Sequence, residues 1–236
     1  GGVAALAILL VRKFMHETVQ DKDIKANAGT LGEVRKHMRA FFTVIGLTAG
    51  GAVSFYTFTT LMQKYLTLEG HGLTLSKAQA TSLMTGVLVI FLFLQPLMGA
   101  LSDKIGRRMN LLLFSGLATV LTQPILSGLA SATSISWMFM LVLAGLTINS
   151  LFTSISALFK AELFPMHIRA LGVGLSYGIA NALFGGTAES IALAFKSANH
   201  EEYFYWYVAG LCAVSFITAL TMPDTRKRNL LENDGA

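Results

Sequence analysis

Residues 82–101 contain no aspartate, glutamate, lysine or arginine, and residues 109–159 contain none either. Between them, Asp103-Lys104-Ile105-Gly106-Arg107-Arg108 gathers the charge of the whole region into one short turn. An uncharged, mainly apolar run of about 18 residues or more can cross a bilayer, because ~20 helical residues span a hydrocarbon core of ~30 Å. Lipid offers the backbone no hydrogen-bonding partner, so such a run is helical. A charged turn joining two of them is a loop at the membrane surface. The composition agrees: 53% of residues are hydrophobic and 13% charged, against roughly 25% charged in an average soluble domain. The expected fold class is all-α, a polytopic membrane helical bundle.

The same alternation of apolar and charged segments sets the other boundaries. Residues 1–11 are apolar but reach only about 16 Å as a helix, too short to span, and read as the end of a truncated transmembrane helix. Residues 12–40 are polar and mixed in charge, a soluble connector interrupted by Gly29 and Gly32. Residues 41–222 hold six expected spans, at 41–65, 83–101, 109–130, 135–159, 170–195 and 203–222. Polar loops are expected at 67–81, 131–134 and 160–169, and residues 223–236 form a polar tail.

The net charge of +5 is explained without nucleic acid, since the basic residues sit at helix ends. Counting faces alternately, one face holds fifteen of the 18 lysines and arginines, and the other only Lys64, Lys77 and Lys196. By the positive-inside rule the connector, the charged turns and the tail are cytoplasmic. Cys212 is the single cysteine, lies in an apolar stretch and reads as a small buried residue. One cysteine excludes an intrachain disulfide. His16, His37, His71, His167 and His200 lie in connectors or at helix ends without metal-ligand spacing. No metal site is expected, and with no nucleophile–base constellation no enzyme is expected either.

Polar residues inside the spans are the candidates for function, because they face the bundle or a water-filled path rather than lipid. Tyr56, Thr60 and Lys64 fall at i, i+4 and i+8 on the first span, and Tyr177 and Asn181 share a face of the fifth. These five are candidates for a substrate cavity. Helix–helix hydrogen bonding accounts equally for the hydroxyls and the amide, and snorkelling to the outer interface for Lys64. Gln95 and Asn149 are buried polar points that suit packing or a central cavity. Apart from Lys64, no basic residue is expected deep within a span. Glu189 lies 20 residues beyond Arg169, about 30 Å along a helix and in the outer part of the membrane. A lone carboxylate there is costly. It serves either proton exchange or a fixed salt bridge, with Lys64 as the natural partner.

Two turns carry a resemblance. In Gly99-Ala-Leu-Ser-Asp103-Lys-Ile-Gly106-Arg107-Arg108, the glycines allow a close helix reversal, Asp103 suits a helix N-terminus, and the arginines can meet carboxylates or anionic headgroups. The pattern Gly-x-Leu-Ser-Asp-Lys-x-Gly-Arg-Arg resembles the interhelical loop of the major facilitator superfamily. In Glu162-Leu-Phe-Pro165-Met-His-Ile-Arg169-Ala-Leu-Gly172, Pro165 ends a helix and Gly172 allows the next to pack closely. That pattern is shared by several transporter families. The stretch Arg169-Ala-Leu-Gly-Val-Gly-Leu-Ser-Tyr177-Gly-Ile-Ala-Asn181-Ala-Leu-Phe184-Gly-Gly-Thr-Ala-Glu189 looks like the metabolite:proton symporter family. Phe55-Tyr56-Thr57-Phe58-Thr59-Thr60-Leu61-Met62-Gln63-Lys64-Tyr65-Leu66 is most similar to its branch of α-ketoglutarate permeases. The likeness extends over essentially the whole chain.

The resemblance implies the C-terminal six-helix half of a major facilitator transporter, in a bacterial inner membrane, with a cytoplasmic C-terminus. It implies that Asp103, Arg107, Arg108, Glu162 and Arg169 form a cytoplasmic gate. The whole protein would import a dicarboxylate, α-ketoglutarate first, with protons as coupling ion and no other cofactor. Its partners would be the organic anion, protons, the lipid bilayer and an N-terminal half of the same transporter. The main carboxylate-binding charges would lie in that other half. Citrate, shikimate or proline/betaine as cargo stay open, as does a non-transporting membrane sensor.

Overall fold

The computed structural model describes residues 30–68 and 72–222. The truncated helix at 1–11, most of the connector, His16, His71 and the polar tail lie outside the described residues.

Among the described residues there are helices and turns but no strand. A short helix α1 (Leu31–Lys36) precedes the long helices α2 (Met38–Tyr65), α3 (Lys77–Ile105), α4 (Arg107–Ala130) and α5 (Ile135–Glu162). One 3-10 turn (Met166–Ile168) leads into α6 (Arg169–Ala180), followed by α7 (Ala188–Ser197) and α8 (Glu201–Thr221). Helices α2, α3, α4, α5 and α8 are long and apolar enough to cross a membrane. The expected span at 170–195 is built differently. It is α6 and α7, joined through a π turn at Asn181–Gly185 in which Gly186 N–H donates to the Asn181 carbonyl (2.9 Å). The glycine pair at 185–186 removes side chains that favour an unbroken α-helix there.

Three boundaries differ from expectation. Helix α3 starts at Lys77, inside the polar segment 67–81, because Ser76 and Gln79 close a capping box: Gln79 N–H donates to Ser76 Oγ (3.3 Å) and Ser76 N–H to Gln79 Oε1 (3.0 Å). It then continues through Gly99, where an added Cβ would meet nothing, to Ile105. The reversal into α4 is Gly106 alone, at φ 95° and ψ 151°, a conformation essentially reserved for glycine. Helix α5 runs beyond residue 159 to Glu162, so Lys160 is helical and not part of a loop.

Helix α8 packs against both α2 and α4, α2 packs on α6, and α5 packs on α3 and α4. The α2–α8 contact is close enough that a Cβ on Gly50 would stand 2.8 Å from the Cys212 Cα. Gly50 N–H donates to Ser215 Oγ (2.9 Å), whose hydroxyl donates to the Gly46 carbonyl (2.7 Å). Small residues plus hydroxyl hydrogen bonds are how helices associate where lipid supplies no hydrophobic drive. Cys212 is fully buried in this seam, as expected. In its most apolar window α2 is 72% buried and α3 only 17%. So α2 is the inner helix, while α3 turns Leu92, Phe93 and Leu97 outward as a surface suited to lipid.

Candidate functional site

Helix α2 also contains a π turn, at Thr57–Leu61, immediately after Tyr56. The π turn of the α6–α7 segment packs against α2 at Tyr56, the residue just before the α2 π turn. Asn181 Nδ2 donates to Tyr56 Oη at 3.4 Å, and the Tyr56 ring lies against Gly185, where a Cβ would come within 2.7 Å of it. π turns interrupt the regular i→i−4 ladder and recur at functional sites. A cavity of about 260 Å³ opens beside this contact, lined by Tyr56, Tyr177 and Asn181 together with Thr48, Thr153 and Ser156. Three of the five expected cavity residues therefore converge.

Thr60 and Lys64 do not join them. They line a second cavity of about 620 Å³ with Gln63, Thr67, Lys77 and Thr81. The shared face was expected from unbroken i+4 spacing, and the π turn at Thr57–Leu61 interrupts that spacing between Tyr56 and Lys64. Lys64 lies about 12 Å further along α2 at 1.5 Å per residue, while helical side chains such as Tyr56 lean back toward the N-terminus. In the outer cavity, Gln63 donates to Thr81 Oγ1 (3.1 Å). Lys64 forms an ion pair with Glu189 Oε1 in the first turn of α7. The Lys64 side chain is 61% exposed and that of Glu189 31%, so the two meet at an open surface.

Asn149 serves packing: its Nδ2 donates to Ser54 Oγ (2.7 Å) and it is fully buried between α5 and α2. Gln95 stands one step behind the inner cavity, accepting at Oε1 from the Thr153 hydroxyl (3.0 Å).

Sequence reasoning missed Lys160. It is only 4% exposed, a basic side chain buried in the bundle although it stands near the end of its helix. Its ammonium donates to Ser156 Oγ (2.7 Å) and stands 3.7 Å from the centre of the Tyr177 ring, with the rings of Phe152 and Phe159 each at 5.6 Å. Ser156, Tyr177 and Phe152 all line the inner cavity. A lysine four residues after Ser156, following Phe152 and Phe159 on the same helix, was the available signal.

At the other end of the bundle, Arg107 joins three helices. Its guanidinium donates to Asp103 Oδ1 (2.5 Å) and Ser102 Oγ (3.2 Å) on α3, and its Nε stands 3.6 Å from Glu162 on α5. Glu162 thus pairs with Arg107 and not with Arg169, which donates to the Phe164 carbonyl (3.2 Å). Asp103 meets Arg107 rather than a helix N-terminus. Arg108 pairs with no carboxylate among the described residues. It donates to the carbonyls of Ala219 (3.2 Å) and Leu220 (2.6 Å), capping the last turn of α8 where orphan acceptors and the negative helix end favour a cation. Gly172 packs under the Phe164 ring, as its position predicts. Among the described residues, no cluster of three or more His, Cys, Asp or Glu could hold a metal.

The sequence profile described as Major Facilitator Superfamily matches residues 41–235. The chain is 47% identical to the alpha-ketoglutarate permease of Escherichia coli (strain K12), over 94% of this chain and 51% of the relative. It is 31% identical to the proline/betaine transporter of the same organism, over 83% of this chain and 38% of the relative. It is 24% identical to the citrate-proton symporter of Salmonella typhi, over 96% and 53%. The chain spans about half or less of the length of these curated relatives. No solved structure gives a significant match. A profile match over most of the chain, on a bundle whose long helices have membrane-crossing length and composition, leads to one conclusion: the chain belongs to the Major Facilitator Superfamily.

Proposed function

We propose that this chain is the C-terminal half of a proton-coupled carrier that imports a dicarboxylate, with α-ketoglutarate as the preferred cargo. The observation that carries the reading is the 47% identity, over 94% of this chain, to a permease named for that substrate. The inner cavity supports it: Tyr56, Tyr177 and Asn181 offer hydroxyl and amide groups to a small polar solute, close to a buried cation. Substrate binds between the two halves near the midplane, and rocking of the halves alternates access. Arg107, Asp103 and Glu162 close the cytoplasmic end, and Glu189 takes part in proton coupling. The charge asymmetry of fifteen basic residues to three supports a plasma-membrane orientation with connector and tail in the cytoplasm.

The test is uptake of labelled α-ketoglutarate, citrate, shikimate, proline and betaine by the full-length protein in proteoliposomes under an imposed pH gradient. α-Ketoglutarate should accumulate and be released by a protonophore. Preferential uptake of another cargo overturns the substrate, and no uptake of any favours the sensor.

A further inference from the structure

We propose that Lys160 is the group that binds a substrate carboxylate in this half, and that it makes the inner cavity selective for anions. The inference rests on the carrier reading above and deepens it. A buried ammonium is costly unless paired, and ionisable residues inside membrane bundles mark substrate or ion pathways by default. Lys64 and Arg107 have such partners, in Glu189 and in Asp103 and Glu162. Lys160 forms no ion pair among the described residues. It is held instead by a neutral hydroxyl and by aromatic faces.

Those contacts stabilise a cation without neutralising it. Cation–π attraction draws on the quadrupole of the ring, and the Ser156 hydroxyl takes one of the three N–H donors of the ammonium. The net positive charge and further donor capacity remain for a ligand. The direction of the side chain matters equally. A lysine near a helix end usually extends its amine outward to water. Here the amine reaches back one turn to Ser156 and sits directly behind the cavity, whose wall of Ser156, Phe152 and Tyr177 separates it from the open space, so a small movement of the Tyr177 ring would present the ammonium to a ligand. Across that cavity stand Tyr56 and Asn181, whose hydroxyl and amide suit the remaining polar atoms of a short oxo-diacid. The volume of about 260 Å³ suits a metabolite smaller than the drug-sized ligands that fill 300–1,000 Å³ pockets.

The rival role is an anchor, with the lysine stem and the rings merely stapling α5 to α6. Lys160→Met separates the two, because it keeps an unbranched apolar stem among the rings and removes the charge. In the full-length carrier, Lys160→Met should raise the half-saturating α-ketoglutarate concentration about ten-fold or more while its thermal midpoint stays at or above that of the parent. Lys160→Arg should stay within about three-fold of the parent. A half-saturating concentration within two-fold of the parent for Lys160→Met overturns the assignment. The unsubstituted protein gives an independent measurement that does not depend on variant folding. Acylation of the Lys160 amine, read by peptide mass spectrometry, should be slowed by α-ketoglutarate and by glutarate but not by betaine. Equal acylation with and without the diacids also overturns the assignment. If the unsubstituted carrier neither binds nor transports a dicarboxylate, the carrier reading itself falls and takes this inference with it. That outcome is recognised before any variant is made.

Discussion

Lys64 and Glu189 form an ion pair that ties the outer end of α2 to the first turn of α7. Each lies just beyond a π turn, so the pair closes the outer edge of the segment where the two irregular helices meet. Exposed ion pairs contribute about 0–1 kcal/mol, since solvent screens them and two flexible side chains must be held. A contribution that small does not make the pair a structural requirement. The proposed role of Glu189 in proton coupling supplies a different reason for the residue.

Glu189→Gln should therefore abolish proton-driven accumulation while leaving substrate exchange across the membrane intact, with the thermal midpoint moving by less than about 4 °C. Accumulation, counterflow exchange and thermal unfolding are measured for Glu189→Gln, Lys64→Gln and the double variant. Normal pH-dependent accumulation by Glu189→Gln would defeat the coupling role. A double variant that restores both expression and accumulation lost in the singles would reduce the pair to a fixed salt bridge.

Arg107 bridges α3 and α5 through Asp103 and Glu162 at the end of the bundle opposite the Lys64–Glu189 pair. Arg107→Ala leaves a mostly buried Glu162 carboxylate without its cation. It should slow transport about ten-fold or more and change substrate affinity less than three-fold, because the turn lies away from both cavities. Binding by calorimetry and initial uptake rates separate the two quantities. A collapse of affinity with unchanged rates of conformational exchange would show that this is no gate. Arg108→Ala should act differently, lowering thermal stability through the uncapped end of α8.

The spans were legible because charge is almost absent within them and concentrated between them, a pattern that depends on composition alone. Helix ends were less so. The capping box at Ser76 and Gln79 was readable, but the polar character of 67–81 outweighed it. Lys160 was assigned to a loop by its charged neighbours, yet the helix persists three residues past Phe159, and the amine is turned inward by Tyr177, seventeen positions away in sequence. The π turns arise where α2 and α6 meet, so local spacing carried no sign of them. That is why Tyr56 and Lys64, aligned on one face by sequence, open onto different cavities.

Gly106 and Gly99 look equivalent in the turn motif, but only the first is required by conformation. Gly106→Ala forces a side chain into a left-handed backbone region and should cost about 1–3 kcal/mol, a fall of several degrees in thermal midpoint. Gly99→Ala meets open space within a helix and should be neutral or slightly stabilising, since alanine favours helix over glycine. Thermal unfolding of the detergent-purified variants checks both. An equal loss at the two positions would mean that the reversal does not turn at Gly106.

The two-cavity arrangement yields the last expectation, which sets Tyr56 against Thr60. The Tyr56 hydroxyl accepts from Asn181 Nδ2, so its own proton is available to a substrate oxygen in the inner cavity. Tyr56→Phe removes that donor and leaves the Asn181 amide short of an acceptor. Lost hydrogen bonds of this kind cost about 0.5–1.5 kcal/mol, equivalent to roughly 2- to 13-fold in affinity. The ring itself, and so its packing on Gly185, is unchanged, and folded yield should be too. Thr60→Val is nearly isosteric and lies in the outer cavity, so it should change the half-saturating α-ketoglutarate concentration less than two-fold. Measured side by side in the full-length carrier, a larger effect at Thr60 than at Tyr56 would move the substrate site from the inner cavity to the outer one.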